Sequence, residues 1–113
     1  MIVTISKSLA TICFLGQCHP ALVGEATPLG EYTLNKRVVL SEGYGGDVLQ
    51  FKYENGIVFA IHRPFSIYGS SVRQRALTEN TNRVMTKGCV NVSDAVYQIL
   101  YKNSTKVTVK IVM

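Results

Sequence analysis

The stretch from Val48 to Ile61 admits one local geometry. Val48 to Tyr53 alternates as a strand, Asn55-Gly56 follows, and Ile57 to Ile61 carries the chain back. A two-residue hairpin turn of type I′ needs positive φ at both central positions, and Asn-Gly adopts it at low cost. The two segments therefore form a β-hairpin. His62 stands at the end of its returning strand, a rigid place for a working side chain.

The same pattern of short strands and turn signals extends along the chain. Ile2 to Ile5, Ala10 to Leu15 and His19 to Val23 form three strands of a meander that breaks at Gly16. Gly24 to Gly30 is a turn set by Pro28 and Gly30, leading into an alternating strand through Leu34. Lys36 to Leu40 is a further strand, Gly43-Tyr44-Gly45-Gly46 a loop, and Pro64 to Asn82 a polar segment with one helical turn around Val72 to Leu77. From Ser93, an N-cap with Asp94 in the first turn, the apolar positions Val96, Ile99 and Leu100 trace one helical face. Thr105 to Met113 alternates as the last strand. The expected architecture is mainly β, a sandwich or open barrel with one helix, in a single domain spanning residues 1–113.

Composition narrows the function classes. An apolar fraction of 47% against 17% charged suits an ordered globular chain. The net charge of +5 favours anionic partners, but the basic residues are spread along the chain. Without a basic run or an aromatic RNA-binding motif, nucleic acid is not an expected partner. No apolar stretch approaches the roughly 18 residues of a membrane span. The N-terminus, apolar before Lys7 where a signal peptide carries its charge, reads as folded strand.

Cys13 and Cys18 flank the turn Phe14-Leu15-Gly16-Gln17 and could face each other, yet buried free thiols are the plainer expectation. A zinc site from Cys13, Cys18 and His19 lacks a fourth ligand and paired spacing, so no metal or other cofactor is expected. Cys89 is different. It sits between Gly88 and a helix start, where a thiolate is favoured, and His62 offers the remote base that a nucleophilic cysteine requires. Backbone N–H groups of Lys87, Gly88 and Cys89 could receive a developing oxyanion, and Gly88 lets the backbone approach a substrate. A strand-end histidine and a core thiol fit the same two residues, and the residues alone leave both readings open.

Thr86 ahead of Gly88-Cys89-Val90-Asn91 resembles the signature of the L,D-transpeptidase catalytic domain, a small residue then x-Gly-Cys-aliphatic-Asn or Arg. Thr27-Pro28-Leu29-Gly30-Glu31-Tyr32 looks like that family's Thr-Pro-x-Gly-x-aromatic segment, with Gly24 where its members often carry glycine. Ile61-His62 is similar to its strand-end histidine, and the order of segments agrees over essentially the whole chain. The resemblance implies Cys89 as nucleophile, His62 as base, the Arg63 carbonyl as the group orienting the imidazole, and an oxyanion hole near Gly88. It implies that Asn91 holds the turn or touches substrate, with peptidoglycan stem peptides as partners and carbapenem-type β-lactams as covalent inhibitors. The product would be a 3→3 cross-link in the periplasm or cell envelope.

Three positions depart from the pattern. Lys87 stands where many members have histidine, and its charge could depress the thiol pKa. Arg63 replaces a small residue. The 26 residues between His62 and Cys89 form a longer loop bearing Arg73, Arg75 and Arg83. Arg73 and Arg83 could grip stem-peptide carboxylates, or simply decorate a solvated loop. Two other functions fit the same residues: a hydrolytic L,D-carboxypeptidase or wall-degrading effector, and a wall-binding module without catalysis.

Overall fold

The computed structural model of the chain describes residues 1–39, 46–64, 71–78 and 82–113. Their elements are β1 (Ile2–Ser6), β2 (Thr11–Phe14), β3 (Gln17–Pro20), β4 (Gly30–Thr33), β5 (Asn35–Arg37), β6 (Val48–Glu54), β7 (Ile57–His62), α1 (Ser71–Thr78), β8 (Val90–Asn91), α2 (Asp94–Lys102), a 3₁₀ turn (Ser104–Lys106) and β9 (Thr108–Val112). A five-stranded sheet runs β3-β2-β1-β9-β4, and a four-stranded sheet runs β5-β6-β7-β8. The chain crosses from one sheet to the other at Leu34, whose buried side chain separates β4 from β5. The mainly β two-sheet architecture agrees with the sequence, but α1 is a full eight-residue helix where one turn was expected, so the described residues hold two α-helices.

The hairpin is as the turn chemistry requires. Asn55 and Gly56 take φ 51° and 77°, and β6 pairs antiparallel with β7. Leu15 and Gly16 make a second tight turn at φ 50° and 77°. It brings β3 onto Gln17–Pro20, earlier than the expected strand from His19. Beyond β3, Leu22 and Val23 make isolated bridges to Asn91 and Val84. Strand β5 ends at Arg37, and the expected continuation to Leu40, the loop from Gly43 to Gly45 and much of the polar segment lie outside the described residues. The last strand begins at Thr108 because the 3₁₀ turn occupies its expected start.

The two cysteines correct the expectation of buried thiols. Cys13 pairs with Cys18 in register across β2 and β3, and the two form a disulfide. The strand alternation explains it. Ile12 and Phe14 point into the core, so Cys13 and its partner share the outer face, where the apolar interior that shelters a free thiol is absent. As disulfide sulfurs they cannot serve as zinc thiolates.

One continuous core joins the sheets. Val3, Ile5, Ile12, Val109 and Ile111 of the first sheet cluster with Leu49, Phe51, Phe59, Ile61 and Val90 of the second. Helix α2 seats Val96, Tyr97 and Leu100 in the same cluster, where each fully buried aliphatic side chain contributes about 1.5–3 kcal/mol. Ser93 caps α2 by accepting from the Val96 N–H at 3.3 Å. A second small cluster, Leu22 with Ala76 and Leu77, fixes α1 against the segment that follows β3.

Candidate active site

Register places the candidate nucleophile and base on one face of a sheet. Strands β7 and β8 pair in parallel, with Ile61 opposite Val90 and His62 opposite Asn91. Side chains alternate along a strand, so Ala60 and His62 share a face with Cys89 and Asn91. Asn91 is fully buried and locked by reciprocal backbone hydrogen bonds with Leu22, at 2.8 and 2.9 Å. His62 and Cys89 line two adjoining cavities. One, of about 160 Å³, is completed by Arg37, Val39, Val48, Val58 and Ala60. The other, of about 230 Å³, is bordered by Phe59, Arg73, Thr86 and Lys87.

A chain of polar contacts sets the imidazole. His62 Nδ1 lies 2.5 Å from the Arg63 carbonyl, which requires that nitrogen to carry the proton. Nε2 then accepts from the Asn91 amide at 3.5 Å, while Asn91 Oδ1 accepts from Arg73 at 3.1 Å. Arg73 sits one turn before Ala76 and Leu77, on the face of α1 that docks against Leu22, and so reaches the site. The Arg63 side chain is tied to α2: its guanidinium pairs with Asp94 at 2.9 Å and lies 4.6 Å over the Tyr97 ring. The Tyr97 hydroxyl donates to the Asp47 carbonyl.

The electrostatics describe a neutral pair at rest. Burial lowers the pKa of His62 below its ordinary 6.5, the Arg63 carbonyl opposes this, and Arg73 adds to it. Burial raises Cys89 above its ordinary 9.0, against the Ala60 N–H and Arg73, both of which favour the thiolate. In the protonated form the thiol points at the Val58 carbonyl, 3.7 Å away. Arg73 is the cation whose charge favours the thiolate, while Lys87, expected to depress the thiol pKa, is exposed at the border of the larger cavity.

The turn before Cys89 is held by two threonines. Thr86 Oγ1 donates to the Cys89 carbonyl at 2.6 Å and accepts from the Gly88 N–H at 3.2 Å. Thr27 Oγ1 donates to the Gly88 carbonyl at 2.9 Å and accepts from the Gly24 N–H at 2.9 Å. Gly88 has φ 137°, and a Cβ there would come within 2.6 Å of the Phe59 ring. Its glycine is thus required by backbone conformation and packing. Of the arginines, Arg73 borders the site, whereas the Arg83 guanidinium binds the Ala10 and Leu9 carbonyls at 3.1 and 3.2 Å, across the β1–β2 turn.

Sequence reasoning did not single out Thr27, Thr86, Asp94 or Tyr97 as parts of this arrangement. The Thr-Pro segment was visible, but its contact with Gly88 joins positions 61 residues apart. Such a partner leaves no trace in spacing.

No family sequence model and no curated protein sequence matches the chain. Solved structures do. The chain is similar to L,D-transpeptidase 1 of Mycobacterium tuberculosis, with TM-score 0.58 and 13% identity over 99% of this chain and 61% of that one. It is similar to an L,D-transpeptidase of Mycobacterium smegmatis, with TM-score 0.59 and 20% identity over 97% of this chain and 57% of the other. The helical cell-shape-determining protein Pgp2 of Campylobacter jejuni gives TM-score 0.64 and 18% identity, over 97% and 46%. The fold is therefore L,D-transpeptidase-like, and the chain spans about half the length of these structures.

Proposed function

We propose that the chain is a cysteine acyltransferase of peptidoglycan stem peptides. The observation that carries the reading is that Cys89 and a His62 with its tautomer fixed by the Arg63 carbonyl line the same cavities, in an L,D-transpeptidase-like fold. A neutral thiol beside a neutral imidazole suits general-base activation. Nε2, giving up its 3.5 Å contact with the Asn91 amide, takes the thiol proton as sulfur attacks a carbonyl carbon, and returns it to the leaving amine. On a tetrapeptide stem, sulfur attacks the carbonyl of the third residue and the bond to the terminal D-alanine breaks, leaving a thioester. An amine of a second stem then displaces the thiol and makes a 3→3 cross-link. Water in its place makes the protein an L,D-carboxypeptidase.

Arg73 and Lys87 give the larger cavity a cationic border suited to a stem-peptide carboxylate, whereas Arg83 is engaged elsewhere. We place the protein in the cell envelope, where this substrate lies. The Cys13–Cys18 disulfide supports an oxidising compartment, and among the described residues no helix is long and apolar enough to cross a membrane. Wall cross-linking or trimming is also how such a protein would act on cell shape, the role named for Pgp2.

The test is covalent. A carbapenem resembles the acyl donor and leaves an adduct on Cys89, detected by intact mass and peptide mapping. A folded native protein that forms no adduct overturns the proposal, as does a Cys89→Ala variant with undiminished activity. Incubation with purified tetrapeptide then separates transfer, which yields a cross-linked dimer, from hydrolysis, which yields tripeptide.

A further inference from the structure

We propose that the Thr27 hydroxyl is a positioning group for acyl transfer, fixing the Gly88–Cys89 peptide so that the Cys89 N–H receives the oxyanion. This rests on the acyl-transfer reading above. Four backbone polar groups flank the sulfur. Thr86 occupies the Gly88 N–H and the Cys89 carbonyl, and Thr27 occupies the Gly88 carbonyl. Among the described residues no acceptor takes the fourth, the Cys89 N–H.

Peptide geometry converts that pattern into a direction. The bond is trans, so the Gly88 carbonyl and the Cys89 N–H point opposite ways in one plane. Thr27 is 1% exposed and holds the carbonyl toward the interior, so the N–H of the same peptide faces the opposite way, and Cys89 itself borders both cavities. The hydroxyl has little freedom to do otherwise. It accepts from the Gly24 N–H, the Thr27 N–H donates to the Gly24 carbonyl at 3.1 Å, and a β-branched side chain is stiff at χ1. The Gly88 N–H, bound to Thr86, is already occupied, so the donor at the nucleophile is the one that Thr27 aims.

Two reactions of the same thiol isolate this role. Acylation by a carbapenem passes through a tetrahedral oxyanion. Alkylation by iodoacetamide displaces iodide at a saturated carbon and forms none. Thr27→Val keeps the shape of the side chain and removes both hydrogen bonds. Its acylation rate is expected to fall about 100-fold, the scale of losing one oxyanion donor, with alkylation nearly unchanged. Thr27→Ser restores the hydroxyl and is expected to restore acylation. Acylation of Thr27→Val at the native rate overturns the proposal, as does a parallel fall in both reactions, which would mean the hydroxyl only places the sulfur. If circular dichroism shows Thr27→Val unfolded, the folded Thr27→Ser decides: near-native acylation supports the role, and a loss as deep as that expected for valine refutes it. A native protein that is alkylated but never acylated refutes the acyl-transfer reading itself, a result distinct from failure of the Thr27 role alone.

Discussion

Gly24→Ala tests how tightly the nucleophile's turn is held by a segment remote in sequence. A Cβ at Gly24 would lie 2.2 Å from the Thr86 carbonyl oxygen and 2.8 Å from the Gly88 nitrogen, where ordinary contact begins at 3.4 Å. The obstruction is backbone on both sides, so no side chain can swing away. Nor can the segments part freely, because Met85 and Thr86 both donate to the Val23 carbonyl, at 2.8 and 3.0 Å, and Val23 donates to Arg83 at 3.0 Å. Relief must come as a shift of about an ångström in the turn carrying Cys89, and a displacement of that size costs about 100-fold in rate. Overpacking of this kind costs about 1–3 kcal/mol, a fall in Tm of about 4–12 °C for a domain of this size. The assays are the rate of carbapenem adduct formation by mass spectrometry and a thermal melt. A Gly24→Ala protein with native acylation rate and unchanged Tm would refute the reasoning, since the turn would then have been free to move.

Further outcomes follow from the charges and the disulfide. Acylation should rise with pH through the lowered His62 pKa, hence below 6.5, and then stay level toward 9.0; an acid limb centred above 6.5 would contradict a buried neutral base. Stability should track the same two groups. It is lost as pH falls below 6.5, where the unfolded chain protonates His62 first, and as pH rises above 9.0, where the unfolded chain ionises Cys89 first. Arg73→Met should raise the thiol pKa further, read from the pH dependence of iodoacetamide alkylation, while Lys87→Met leaves it in place; the reverse result would reassign the cation. Reducing Cys13–Cys18, which closes a loop of sequence separation 5, should cost about 2 kcal/mol and about 8 °C in Tm, and an unchanged melt under reductant would contradict it.

Several parts of this protein were legible along the chain. The Asn55-Gly56 hairpin and the Ser93 cap follow from residues whose φ preferences or hydroxyls act within a few positions, so the local sequence alone determines them. The strand-end placement of His62 and the isolation of Cys89 came from the same local reasoning, reinforced by family resemblance. The polar segment was less informative. Its short, weakly amphipathic helix α1 owes its place to Ala76 and Leu77 packing on Leu22, a contact that propensity does not encode.

What tertiary structure decided is which groups meet. The sequence left Cys13 and Cys18 between thiols and a bridge; the β2–β3 register put them opposite each other on the outer face. It presented Arg73 and Arg83 as similar loop cations and Lys87 as the charge that could act on the thiol; docking of α1 brought Arg73 to Asn91, while Arg83 went to the carbonyls of a distant turn. It displayed Thr27 as part of a turn, and only the fold set its hydroxyl against Gly88. Turns and caps are fixed by torsional preferences within a few residues. Register, burial and hydrogen-bond partners depend on long-range packing, where a shift of one residue exchanges the inner and outer faces of a strand.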